Sequence, residues 1–343
     1  MAVTIRPLDD ARAQAWDAFV LAHPDGTFFH RAAWAGVIEA AFGHRTFYVQ
    51  AERDGDIVGI LPLARVKTLL FGDTLISVPF CVYGGPLAAD KETAAALSAH
   101  AAGLLEKTGA SAIEFRHRES VESDWLERPD LYVTFRKQIE AGNDKNMKSI
   151  PRKQRAMVRK GIQNNLTSVA NGDTGLLHGI YAESVRNLGT PVFSPRYFAI
   201  LADVFRGDCD VVTIMDGDDA IASVMNFYFR DEVLPYYGGG TSRARHRAAN
   251  DFMYWEVMRR AADRGCRLFD FGRSKIGTGS HDFKKNWGFA PENLCYRYKL
   301  APGASIPDRN PMNPKYRLFI AGWKHLPLSV ANAIGPSIVR GLG

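Results

Sequence analysis

Two stretches of this chain alternate apolar and polar positions, and both are laid out in the same way. Residues 47–66, FYVQAERDGDIVGILPLARV, and residues 210–229, DVVTIMDGDDAIASVMNFYF, each place period-two runs around an Asp-Gly turn, at Asp54-Gly55 and Asp216-Gly217. That pattern predicts two hairpins. An apolar strand follows each, ending in Tyr83-Gly84-Gly85 and in Tyr237-Gly238-Gly239. A helical period comes next, KETAAALSAHAAGLLEKTG in the first half and RAANDFMYWEVMRRAADRG in the second. Each unit closes on a short strand, ASAIEFRH or CRLFDFGR, with Glu114 and Asp270 at matching places. Hairpin, strand, helix, strand, written twice, predicts a duplicated α/β (α+β) chain with a mixed sheet packed by helices in each half. The pattern divides it into residues 1–145, residues 146–300 and a tail, 301–343.

Composition narrows this only slightly. The 343 residues are 46% hydrophobic and 23% charged, the balance of a globular protein long enough for two domains. The net charge of +6 favours anionic partners without choosing among them. Cys81, Cys209, Cys266 and Cys295 are scattered, so neither a disulfide framework nor a zinc site is indicated. The N-terminus has no apolar core of a signal peptide, and no run of about 18 apolar residues crosses a bilayer. The cytoplasm is the expected compartment.

Two segments stand outside the repeat. Between the units, Lys148, Arg152, Lys153, Arg155, Arg159 and Lys160 follow one another with no acid, and Pro151 suits a helix start. A basic helix over 152–163 is either a solvated face or an anion-binding one, with Arg152 and Arg155 its candidate contacts. The tail PKYRLFIAGWKHLPLSVANAIGPSIVRGLG carries basic residues and no acid after Asp308. Its short apolar faces suit either a helix pair docked on the protein's own core or a surface anchor through residues 314–342.

Familiar catalytic motifs are missing: no GxSxG, no Walker loop, no HExxH, and Gly277-Thr278-Gly279 lacks the third glycine of a dinucleotide fingerprint. What remains is YYGGGTSRARHRAAND, a strand running into glycines, arginines and a helix. Gly239 and its neighbours open the backbone, and Arg243, Arg245 and Arg247 stand beside a helix start, with Asn250 as its cap. Such a place grips phosphate. The matching loop of the first half, YGGPLAADKET, lacks those cations. After the last core strand comes FGRSKIGTGSHDFKKNWGF, read as a polar loop.

Strand, glycines, basic loop, helix and strand together resemble the GNAT acyltransferase fold. The segment PRKQRAMVRKGIQNN, the passage MRRAADRGCRLFDFGRS and Phe283-Lys284 within HDFKKNWGF resemble the FemAB family of aminoacyl and peptidyl transferases. The tail style NPKYRLFIAGWKHLP is similar to that of the FemAB-like group associated with exosortase loci. The resemblance implies two tandem GNAT-like domains and transfer of an acyl or aminoacyl group to an amine of a peptidoglycan or exopolysaccharide precursor. It implies that Lys284 stabilises the oxyanion of the attacked carbonyl and that Phe283 shapes the pocket. Asp270 would orient the amine or take its proton. Tyr237, Arg273, Lys275, His281, Lys285 and Trp287 would line the site. The donor would be aminoacyl-tRNA or acyl-CoA, with no tightly bound cofactor and no metal, and DNA is not an expected partner. An acyl-CoA-dependent enzyme and a non-catalytic module for nucleic acid or lipid are the alternatives.

Overall fold

A computed structural model describes residues 3–68, 71–121, 123–129, 131–170, 172–307 and 314–343, with the side chains of 314–316 left aside. The chain splits into two compact units. The first is Met1–Leu131 with Asn293–Arg309 and Arg340–Gly343, and the second is Tyr132–Glu292 with Asn310–Val339.

In the first unit the strands are β1 (Thr4–Pro7), β2 (Thr46–Arg53), β3 (Asp56–Thr68), β4 (Gly72–Ser77), β5 (Leu87–Ala88), β6 (Ala112–His117) and β7 (Leu126–Arg128). Helices α1 (Ala13–Ala22), α2 (Trp34–Phe42) and α3 (Lys91–Thr108) accompany them. Asp90 caps α3 by accepting from Thr93 N, and Gly109 ends it in the left-handed region. The predicted hairpin is β2–β3, and β4 lies parallel to β6, ending at Ile76 opposite Glu114. Leu61, Leu63, Leu75, Ile113 and Phe115 meet Leu97, Ala101 and Leu105 of α3 in the core.

The second unit begins with β8 (Tyr132–Gln138), α4 (Asn143–Ser149), α5 (Arg152–Gln163), β9 (Thr167–Ala170), α6 (Thr174–Leu188) and α7 (Pro195–Val204). It continues with β10 (Cys209–Asp216), β11 (Asp219–Phe229), β12 (Glu232–Gly240), α8 (Ser242–Arg247), α9 (Ala249–Asp263), β13 (Leu268–Asp270), β14 (Ser274–Lys275), α10 (Gly279–Asn286) and β15 (Pro291–Asn293). The chain then adds β16 (Cys295–Leu300) to the first sheet and returns with α11 (Pro314–Lys324) and α12 (Leu328–Val339).

Each sheet has eight strands, in the orders β1-β2-β3-β4-β6-β16-β7 and β14-β8-β13-β12-β11-β10-β9, with β5 on β3 and β15 on β8. The units therefore do not divide at 145 and 300. Strand 132–138 joins the second sheet and strand 295–300 the first, because backbone pairing across space outweighs position along the chain.

Two further expectations change. Residues 279–286 form a helix, not a loop: Thr278 accepts from His281 N as its cap, and Phe283 packs with Trp287, four residues on, against the core. Asn250 caps nothing; α9 starts at Ala249, and Ala248 turns the chain with φ 60°. Helices α11 and α12 dock on the second unit. Trp323 is buried, Ile320 lies against Gly189, and Leu328 packs on Ala182, Val185 and Val192.

Candidate active site

Parallel strands β12 and β13 pair only at Glu232–Leu268 and Val233–Phe269. Beyond that point the register of β12 with β11 shifts between Met225 and Asn226, a bulge at Tyr236, while β13 pairs with β8 through Asp270 opposite Arg136. The two strand ends part, and the chain after β13 stays on β8 through a tight turn: Phe271 N donates to Phe135 O, and Ser274 and Lys275 of β14 pair with Val133 and Tyr132. Gly272 makes that turn with φ 66°.

Asp270 fixes the turn. Its side chain is fully buried; Oδ1 accepts from Gly272 N at 2.7 Å and from Thr134 Oγ1 at 3.3 Å. Oδ2 lies 3.3 Å from Arg136 Nε. A carboxylate held this way presents the backbone carbonyls of Gly272 and Arg273 in a defined direction. Lys284, on α10, fills that position: its Nζ donates to Gly272 O at 3.0 Å and to Arg273 O at 3.1 Å. The Phe135 ring lies 5.7 Å away. Burial lowers the Lys284 pKa from 10.5 to about 7; Asp270 opposes that shift and Arg273 adds to it. An ammonium has three N–H groups. Two are used here, so the protonated form keeps one for a reacting oxygen.

The other expected residues separate into groups. Phe283, the neighbour of Lys284 on α10, packs against Tyr254, Phe271 and Trp287. Trp287 is fully buried, and its Nε1 donates to Asp251 Oδ1 at 3.0 Å. Arg273 and Lys275 both reach the Tyr132 ring, at 4.4 and 5.7 Å. His281 meets the edge of Phe135, with Asp282 Oδ1 3.1 Å from its Nδ1; Lys285 is exposed. Lys284, Phe283, Asp270, Arg273 and His281 thus gather around β8 and the turn after β13.

Tyr237 stands elsewhere, in an aromatic cluster with Tyr181, Phe193, Tyr197 and Phe198, its hydroxyl 2.9 Å from that of Tyr197. A Cβ at Gly239 would lie 2.5 Å from Ser184 Cβ, so α6 covers the backbone there. The expected phosphate grip is occupied by the protein's own acids. Glu183 Oε1 accepts from Ser242 N at 2.8 Å at the start of α8. Arg243 pairs with Asp216 at 2.6 Å and also with Asp219, and Arg247 pairs with Asp216 at 2.8 Å. Arg245 is exposed. The acids of the β10–β11 turn were legible beside the arginines; Glu183, on a different helix, had no local signal.

On α5, Arg152, Lys153, Arg159 and Lys160 are exposed, and none forms an ion pair among the described residues. Arg155 donates to Lys148 O at 3.1 Å. This helix is tied to the Lys284 helix. Asp251 Oδ1 accepts from both Trp287 Nε1 and Gln154 Nε2, the latter at 3.3 Å, and Gly288 lies against Pro151. Among the described residues no group of His, Cys, Asp and Glu could hold a metal.

Residues 145–285 match the family described as acetyltransferase (GNAT) domain. No curated protein matches the sequence. Of solved structures, FemX superposes with a TM-score of 0.67 at 16% identity, over 92% of this chain and 100% of its own. A tandem GNAT protein from the clavulanic acid biosynthesis pathway gives 0.54 at 15%, over 89% and 100%. The C-terminal domain of a putative lysylphosphatidylglycerol synthetase from Agrobacterium fabrum gives 0.55 at 11%, over 85% and 93%. At these identities the likeness is one of fold. GNAT acetyltransferases take acyl-CoA, whose pyrophosphate needs free amides and cations beyond the β12 strand end. Here Glu183 accepts from the Ser242 amide, Asp216 and Asp219 pair with Arg243 and Arg247, and Arg245 stays exposed. With two mixed sheets each built on hairpin, strand, helix and strand, this chain has the tandem GNAT fold, and its residues 145–285 match the acetyltransferase (GNAT) domain family.

Proposed function

We propose that this protein is an N-acyltransferase that moves an aminoacyl group from its ester to an amine of a cell-envelope precursor, of the peptidoglycan or exopolysaccharide kind. The single observation that carries this reading is the enclosed Lys284 amine, held by Gly272 O and Arg273 O beside Asp270. The acceptor nitrogen attacks the ester carbonyl, forming the C–N bond. Negative charge gathers on the carbonyl oxygen, where the remaining Lys284 N–H stabilises it more than it stabilises the neutral ester. Collapse breaks the ester C–O bond, and the donor's hydroxyl departs with the proton the amine has lost. Phe283 and the Phe135 ring keep water from the amine.

Two features support an aminoacyl-RNA donor over acyl-CoA: the acid-filled strand-end loop, and the unpaired basic face of α5 joined through Asp251 to the Lys284 helix. The resemblance of Phe283-Lys284 and its surroundings to FemAB enzymes supports the cell-envelope acceptor. In this reading the enzyme works in the cytoplasm at the inner-membrane surface, where such precursors are carried on lipid. The rival donor, acyl-CoA, draws on the GNAT domain match. The test incubates the protein with aminoacyl-tRNA or with acyl-CoA and an amine-bearing envelope precursor, and weighs the product by mass spectrometry. Product from aminoacyl-tRNA with wild type and none with Lys284→Met is expected. Product from acyl-CoA alone would replace the donor, and no difference between wild type and Lys284→Met would remove the mechanism.

A further inference from the structure

Helices α11 and α12 use one face each to dock. Ile320 of α11 lies against Gly189 at the end of α6, Trp323 is buried, and Ala331, Gly335 and Val339 of α12 are buried. Other positions of both helices are not covered, although the Phe319 ring rests 5.3 Å from that of Trp323. Leu318 is 87% exposed, Phe319 44%, Val330 41% and Ile334 43%; Leu188, beside the Gly189 that contacts Ile320, is 68% exposed. A lone exposed leucine is ordinary, but five large apolar side chains on one helix group are not. Arg317 and Lys324 of α11 are exposed, Arg186 at the end of α6 donates to Lys324 O at 3.1 Å, and no acid follows Asp308 in the sequence. Arg317, Leu318 and Ala321 share one face at helical spacing.

We propose that this face of the second unit, α11 and α12 with the end of α6, seats the protein on an anionic lipid surface. The charge decides between occupants. A second copy would bring Arg317 and Lys324 against their own kind with no acid on the helix pair to meet them. Anionic headgroups meet those cations while the apolar side chains enter the acyl boundary. Docking by one face and insertion by the other also explains why the single tryptophan of the pair is turned inward: Trp323 holds α11 to the protein. The inference deepens the proposed function by placing the reaction at a surface, and its readout, vesicle binding, is independent of turnover.

The test is flotation of the full-length protein with vesicles of phosphatidylcholine alone and with an added anionic phospholipid, at low and high salt. Leu318→Glu/Ile334→Glu changes two exposed positions, so thermal unfolding checks that the fold is kept. Wild type is expected to float with anionic vesicles only, less at high salt, and the double variant to bind at least about tenfold more weakly. The proposal is overturned if wild type ignores anionic vesicles, or if the double variant floats equally well. It is also overturned if sedimentation shows a dimer that the double variant dissolves while vesicles are never bound, because the face is then a contact between copies.

Discussion

A lysine amine with two backbone carbonyls as partners is costly to keep charged, and Lys284 shows the consequence. The unfolded chain holds that proton up to about 10.5 and the folded one releases it near 7. Between those values unfolding takes up a proton, so stability rises with pH. Lys284→Met removes the titration. Urea unfolding from pH 7 to 10 should therefore show wild type gaining on Lys284→Met as pH rises; parallel curves would contradict the buried amine. In turnover the protonated form acts, so the Lys284 contribution to kcat/KM should fade as pH climbs through about 7 and be missing from the variant at every pH. Asp270 serves the turn. Asp270→Asn breaks a buried pair with Arg136 and should cost about 3 kcal/mol by denaturant unfolding, against less than about 1 kcal/mol for Lys285→Ala on the surface. Phe283-Lys284 was legible as a motif. The carbonyls that hold Lys284 were not, because Gly272 and Arg273 act through their backbone.

At the scale of elements, glycine and packing compete. Gly161 lies inside α5, where alanine is ordinarily the better helix former by about 1 kcal/mol. An added Cβ would stand 2.7 Å from Phe252 Cβ of α9, between two packed backbones. Overpacking should win: Gly161→Ala is expected to destabilise by about 1–3 kcal/mol, read by thermal or urea unfolding. The exposed face of the same helix carries a separate expectation. Arg152→Glu/Arg159→Glu should leave the unfolding midpoint unchanged, lower affinity for aminoacyl-tRNA, and flatten its salt dependence by about two charges' worth. The glycines and small polar residues of α10 argue locally for a loop. Its signals were present but weak: Thr278 as cap, and Phe283 and Trp287 one turn apart.

For the whole molecule, the repeat and its split strands decide how a donor is met. The first copy has one lysine, Lys91, in its matching loop, and the second has Arg243 and Arg247 tied to Asp216 and Asp219 and the Ser242 amide held by Glu183. A binder of CoA would gain stability as RT ln(1 + [L]/Kd), about 2.7 kcal/mol at a hundredfold excess over Kd. No shift of the unfolding midpoint with acetyl-CoA is expected here, and a saturable upward shift would return acyl-CoA as donor.

The sequence by itself determined the hairpins, the two helix-to-strand passages, the basic helix and the Phe283-Lys284 motif. These depend on local periodicity and turn chemistry, which neighbouring residues carry. Only the tertiary structure decided that strand 132–138 completes the second sheet and strand 295–300 the first, that Glu183 closes the strand-end amide, and that Trp323 faces inward while Leu318 faces out. Each of those depends on a partner far along the chain, and a hydrogen bond or a buried face is set by where that partner lies in space.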